Sequence, residues 1–203
     1  HYSRGTGYVR MSLIFDTLTW KDEKGIIPAL AESWEMEGDD AYTFKLREDV
    51  LWHDGERFTA NDVLFTIDYI KEHPYQWVDW SIIKSTEAID DKTVKIILKN
   101  EYAPFLDQVA GTLPILPEHI YKDVSDPASF IDPEALTGTG PFKLVNYDKT
   151  QGTYLYDANE NYYQGAPRVK QIKFVKVSAE MAAAALEKGE ADAATVPGEI
   201  VDD

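Results

Sequence analysis

Val50-Leu51-Trp52-His53-Asp54-Gly55-Glu56-Arg57-Phe58-Thr59-Ala60-Asn61-Asp62-Val63 joins a tight turn to the start of a helix. Asp and Gly at 54 and 55 predict the turn, with the glycine supplying a positive φ. Thr59-Ala60-Asn61-Asp62 has the capping-box pattern, with Asp in the place of Glu. Val63, Phe65, Ile67 and Ile70 follow and His73-Pro74 interrupts the segment. A helix over 60–72 is therefore expected.

Upstream, Tyr42, Phe44 and Leu46 alternate with Thr43, Lys45 and Arg47, the period of a half-buried strand. Gly38-Asp39-Asp40 ahead of it fits a hairpin turn. Earlier still, the largely apolar run Met11–Leu18 precedes a polar turn at 21–25, and Pro28 opens Ala29-Leu30-Ala31. Downstream, Ile89 and Val94 flank an Asp-Asp-Lys-Thr turn, and Val94, Ile96 and Leu98 alternate as a second hairpin. A short helix is expected at 104–109 with Pro104 in its first turn. Beyond a loop holding Pro114, Pro117, Pro127 and Pro133, strands are expected at 142–147, 153–158 and 171–177. Gly138-Thr139-Gly140-Pro141 reads as a bend built on two permissive glycines. Ser178 caps a helix through Leu186 that Gly189 stops, and 191–196 reads as a last strand. Strands and helices interleave without a regular βαβ repeat, so the fold class is mixed α/β (α+β), with an antiparallel meander inserted early.

The chain has 203 residues, enough for one good core or two small ones. Lys and Arg total 20 against 36 Asp and Glu, a net charge of -16. Such a surface repels phosphate backbones, so no nucleic-acid partner is expected. There is no cysteine, which excludes disulfides, thiolate metal sites and a Cys nucleophile. No apolar run approaches the roughly 18 residues of a membrane span, and no signal-peptide h-region opens the sequence.

Catalytic and metal motifs fail residue by residue. Gly138-Thr139-Gly140 is followed by Pro141, Phe142 and Lys143, so neither phosphate-binding fingerprint is completed. Asp157-Ala158-Asn159-Glu160-Asn161 opens like a calcium loop, but Tyr162 stands where Gly is needed and Arg168 where a bidentate Glu is needed. His1, His53, His73 and His119 lack zinc-helix spacing, and no Ser sits in a nucleophile elbow. The expectation is a non-enzyme with no catalytic residue, metal ligand or cofactor.

Three groups of segments carry a resemblance. One is Leu30-Ala31-Glu32-Ser33-Trp34 with the strand Tyr42–Arg47; the second is the stretch 50–63. The third is Gly138-Thr139-Gly140-Pro141-Phe142, then Asn159-Glu160-Asn161-Tyr162-Tyr163-Gln164-Gly165, then Leu186–Asp192. In this order they resemble the dipeptide, oligopeptide and nickel-binding family (family 5) of extracytoplasmic solute receptors, over residues from about 11 to about 196. The resemblance implies a periplasmic-binding-protein type II-like first lobe, partial and truncated before the second lobe. It implies an inserted subdomain at roughly 36–135, with 136–203 returning to the main sheet and starting the crossover. It further implies an extracytoplasmic location, the targeting segment being absent. The partners implied are a small peptide or metal-chelate ligand and a membrane permease with its ATPase, the receptor itself being a monomer.

The ligand contacts implied for this lobe are Tyr8, Trp77, Arg4 and the loop that contains Gly111, Thr112 and Leu113. Trp77 stands in Gln76-Trp77-Val78-Asp79-Trp80; the alternative is that both indoles simply cover the core. Nickel-chelate receptors place an Arg in the loop where this sequence has Gly111-Thr112-Leu113, which weakens a nickel reading without removing it. A hydrolase and a stand-alone interaction module are the competing readings from other classes.

Overall fold

The computed structural model describes residues 5–194. Arg4, His1 and the end of the strand expected at 191–196 lie outside that range; Ala191–Ala194 carry no strand. Two compact units emerge: residues up to Lys143 together with Asp157–Lys170, and Leu144–Tyr156 together with residues from Gln171 onward.

The first unit opens with a helix that the sequence did not predict, α1 (Gly5–Met11), and a hairpin of β1 (Thr19–Asp22) and β2 (Gly25–Pro28). Gly25 turns the hairpin at a φ of 122°, a conformation that side chains avoid. Next come β3 (Ala31–Glu37) and β4 (Ala41–Leu46), joined through Gly38 at a φ of 64°. After α2 (Ala60–Glu72) follow β5 (Ile83–Asp90) and β6 (Thr93–Leu98). These strands form one antiparallel sheet in the order β3-β4-β6-β5.

The alternation at 42–46 and 94–98 builds the core. Tyr42 lies opposite Ile96 and Phe44 opposite Val94, so both strands turn their apolar set to one face. Phe44, Leu46, Val94 and Leu98 are fully buried, and Val63, Ile67 and Ile70 of α2 are buried with them. Phe105 closes the cluster against Tyr42, ring centroids 4.8 Å apart. Each such side chain contributes about 1.5–3 kcal/mol by leaving water. The void left in this core is about 10 Å³, too small for a ligand.

Asp62 explains why α2 starts where it does. Its Oδ2 accepts from the Thr59 amide at 2.8 Å, the reciprocal half of the capping box, and its Oδ1 accepts from the Glu118 amide at 3.0 Å. One turn on, Thr66 Oγ1 accepts from the Leu116 amide at 2.9 Å and donates to the Asp62 carbonyl at 2.7 Å. The capping residue thus also ties down the segment leading into α4 (Glu118–Tyr121). Burial raises the Asp62 carboxyl above its ordinary value, against the hydrogen bonds from Glu118 and Thr59, which lower it.

α3 (Phe105–Gln108) is shorter than expected, and Pro104 stands just ahead of it as the N-cap residue. The final strands are β7 (Phe142–Asp148), β8 (Thr153–Ala158) and β9 (Gln171–Phe174), in one sheet ordered β7-β8-β9. In the second unit Tyr156 packs edge-on against Phe174, and Tyr147 stacks on Tyr154. The same unit holds α5 (Ala179–Glu187). Ser178 caps it by accepting from the Met181 amide, and Gly189 ends it at a φ of 69°.

Candidate functional site

The 50–63 turn has a second role that the sequence did not disclose. Gly55 takes the expected positive φ, 98°, and its amide donates to the Trp52 carbonyl. His53, which the sequence places beside the Asp54-Gly55 turn, grips Gly138-Thr139-Gly140. Its amide donates to the Gly138 carbonyl at 2.8 Å, its Nδ1 accepts from the Gly138 amide at 3.2 Å, and its Nε2 lies 2.9 Å from the Gly140 carbonyl. A carbonyl can only accept, so this pattern calls for the neutral ring protonated on Nε2. Burial, first, and the nearby Lys143 charge lower its pKa from the ordinary value.

The two glycines are not there for positive φ, which neither of them adopts. They are there because Ile14 passes directly over them. A Cβ on Gly138 would lie 1.9 Å from the Ile14 carbonyl oxygen, and one on Gly140 2.6 Å from it. The Gly140 amide donates to that same carbonyl at 2.7 Å. Asn159, from the rejected calcium-like stretch, donates through Nδ2 to the Gly140 carbonyl at 3.1 Å.

Two residues beyond Ile14, Asp16 collects hydroxyls. Thr139 Oγ1 donates to its Oδ2 at 3.2 Å, Tyr162 to its Oδ1 at 3.3 Å, and Tyr163 bonds it as well. The Arg47 guanidinium lies 5.2 Å from the Tyr163 ring centroid. Desolvation outweighs the hydroxyl bonds and raises the Asp16 pKa to about 6. It also drives both tyrosines upward, with the Asp16 charge adding to the effect. Nothing in the local sequence marks Asp16; Tyr162 and Tyr163 come to it from far along the chain.

The expected ligand contacts fall in different surroundings. Tyr8 lies on α1 and is partly buried. Trp77 stands in the loop after α2, 45% exposed, while Trp80 packs against the core in a short 3-10 helix, Trp80–Ile82. Val78 between them is buried, so the loop is pinned and Trp77 projects from it. A groove of about 340 Å³ lies beside Trp77, walled by Gln76, Asp79, Tyr102, Gln108 and Val109. Tyr8 does not line it. Val109 leads straight into the loop 110–113, whose side chains turn inward. Thr112 is 1% exposed, with its hydroxyl on the Asp107 carbonyl at 2.9 Å, and Leu113 belongs to the core. Gly111 is hemmed in by the Leu106 and Asp107 carbonyls. What this loop presents outward is therefore mainly backbone.

Among the described residues, no group of three His, Cys, Asp or Glu side chains gathers as a metal site. No helix among them is long and apolar enough to cross a membrane.

Comparison with known proteins places this architecture. The family model of bacterial extracellular solute-binding proteins, family 5 Middle, matches residues 25–203. The dipeptide-binding protein of Escherichia coli K12 is 32% identical over 85% of this chain and 36% of its own length. The structure of NikZ from Campylobacter jejuni with Ni(L-His) superposes with a TM-score of 0.81 at 32% identity. That of the oligopeptide-binding protein AppA from Bacillus subtilis with a nonapeptide gives 0.81 at 27%. Each superposition covers 94% of this chain and 39% of the other. The chain thus spans little more than a third of the relatives it matches. It belongs to the bacterial extracellular solute-binding proteins of family 5.

Proposed function

We propose that this chain is part of the first lobe of an extracytoplasmic receptor that captures short peptides and delivers them to an ATP-driven importer in the membrane. In this reading residues 36–135 form a subdomain inserted in that lobe, and a hinge closes a second lobe over the ligand. The receptor acts as a monomer and performs no chemistry on its cargo. The observation that carries the reading is the pinned loop at Trp77: an exposed indole over a groove of about 340 Å³, on a chain whose relatives bind solutes. The groove offers an aromatic wall and polar groups that can orient a small ligand. Backbone at 110–113 and the Tyr8 ring are the other contacts proposed for this lobe, and Arg4 is a further proposed contact; Gly111, Thr112 and Leu113 contribute through their main chain. A peptide held largely by its own backbone can vary in its side chains.

A nickel or metal-chelate receptor is the second reading, favoured by the match to NikZ with Ni(L-His). It lacks an Arg in the 110–113 loop to hold a chelator's carboxylates. Calorimetric titration of the full-length receptor with di- to nonapeptides and with nickel–histidine separates the two. Peptide binding without a nickel–histidine response is expected. Tight nickel–histidine binding with no peptide response would sink the peptide reading.

A further inference from the structure

The groove beside Trp77 has a definite electrostatic character. Its side chains include one carboxylate, Asp79, two aromatic rings, Trp77 and Tyr102, and the amides of Gln76 and Gln108, but no Lys or Arg. Asp79 is held in place because its Oδ1 accepts from the Ser81 amide at 3.0 Å, capping the 3-10 helix. The Tyr102 hydroxyl spends its proton on Gln108 Oε1 at 2.6 Å, so its oxygen is left with lone pairs to offer. Trp77, 45% exposed, carries the aromatic face on which a cation is best received. Recognition of a ligand carboxylate calls instead for a guanidinium fork, and neither the groove nor the adjoining 110–113 loop contains one.

We propose that this groove is a subsite for a cationic N–H group, an ammonium or a guanidinium, seated between the Trp77 face and the Asp79 carboxylate with the Tyr102 oxygen as a further acceptor. The proposal rests on the receptor reading in taking the Trp77 surface as ligand-facing, and it deepens that reading by naming the charge of the cargo's end at this lobe. Both elements of the subsite are solvent-facing, so each acts modestly. An exposed cation–π contact and an exposed ion pair are each worth a few-fold in affinity.

Titrating the isotopically labelled chain while following the Trp77 indole N–H resonance, assigned with Trp77→Phe, tests this directly. N-acetyl-arginine amide presents only a guanidinium and alanine amide only an α-ammonium, so whichever saturates identifies the source of the cation. N-acetyl-glutamate amide and N-acetyl-glutamine amide are the anionic and neutral comparators. At least one cation is expected to shift Trp77 saturably, about three- to fivefold more weakly in Asp79→Asn and more weakly again in added salt. Asp79→Ser keeps the helix-capping oxygen without the charge, and the same loss is expected there. Equal binding of the glutamate or glutamine compound, an unchanged response in both variants, or no saturable cation shift overturns the subsite. Peptide binding by the full-length receptor is a separate readout. If peptides bind without charge preference and Trp77 ignores the cations, the receptor reading stands and only the subsite falls.

Discussion

Gly140 and Gly55 differ in what an added methyl would meet. At Gly140 the Cβ collides with the main chain of Ile14 and Leu13 at 2.6 Å, and backbone cannot swing aside as a side-chain tip can. Gly140→Ala is expected to cost at least about 3 kcal/mol, the upper end of overpacking. At Gly55 nothing lies within 4 Å, and Gly55→Ala meets only the penalty of positive φ, about 1–2 kcal/mol. Urea unfolding of the two variants checks the contrast. Asp16 carries a pH signature. Its folded value of about 6 stands above the ordinary 3.8, so between those values the folded chain binds more protons than the unfolded one. Its contribution to stability is therefore present at low pH and lost as pH rises through about 6. A shift of this size corresponds to roughly 2–3 kcal/mol. Asp16→Asn is expected to raise stability at neutral pH relative to wild type and to flatten the pH dependence across that window. Denaturant midpoints at about pH 4 and about pH 7 decide it; equal slopes in the two proteins would refute the assignment.

At the scale of elements, the N-terminus of α2 is a junction rather than a free helix end. Removing the Asp62 carboxylate strips acceptors from two amides, Thr59 on its own helix cap and Glu118 at the start of α4. Asp62→Ala is expected to destabilise by about 2–3 kcal/mol, a lost cap plus an unsatisfied buried donor. Its exposed neighbour Asn61 is a control, with Asn61→Ala within about 0.5 kcal/mol. Hydrogen exchange separates cap from tie: both the Thr59 and Glu118 amides should exchange faster in Asp62→Ala. An unchanged Glu118 rate would mean that the α4 contact is incidental. The capping pattern was plain in the sequence. Its second partner was not, because Glu118 lies 56 positions away and no local rule pairs them.

At the scale of the whole molecule, the proposed receptor depends on closure. A small ligand reaches high affinity when most of its surface is buried, and one wall of a cleft cannot do that. On the proposed reading this chain by itself binds peptides at least about 100-fold more weakly than the full-length receptor, since each 1.4 kcal/mol of lost contact is tenfold. Side-by-side calorimetry of the two proteins measures the ratio, and comparable affinities would favour a stand-alone module instead.

The sequence by itself determined the elements with strong local periodicity or chemistry: β4, β6, α2, the Gly55 turn and the capped α5. It also carried the family resemblance, because those turns and caps sit in a fixed order. It marked the polar turn at 21–25 but could not show α1 or the strands β1 and β2 on either side of that turn, because residues 5–28 lack clear alternation or caps. Only the tertiary structure decided that Gly138 and Gly140 serve close approach, that His53 is their clasp, and that Asp16 lies under Thr139, Tyr162 and Tyr163. Only there does Trp77 stand out from the core while Trp80 packs against it. The reason is physical: periodicity and capping act between residues a few positions apart. Desolvation and steric contact act between whatever segments the fold brings together.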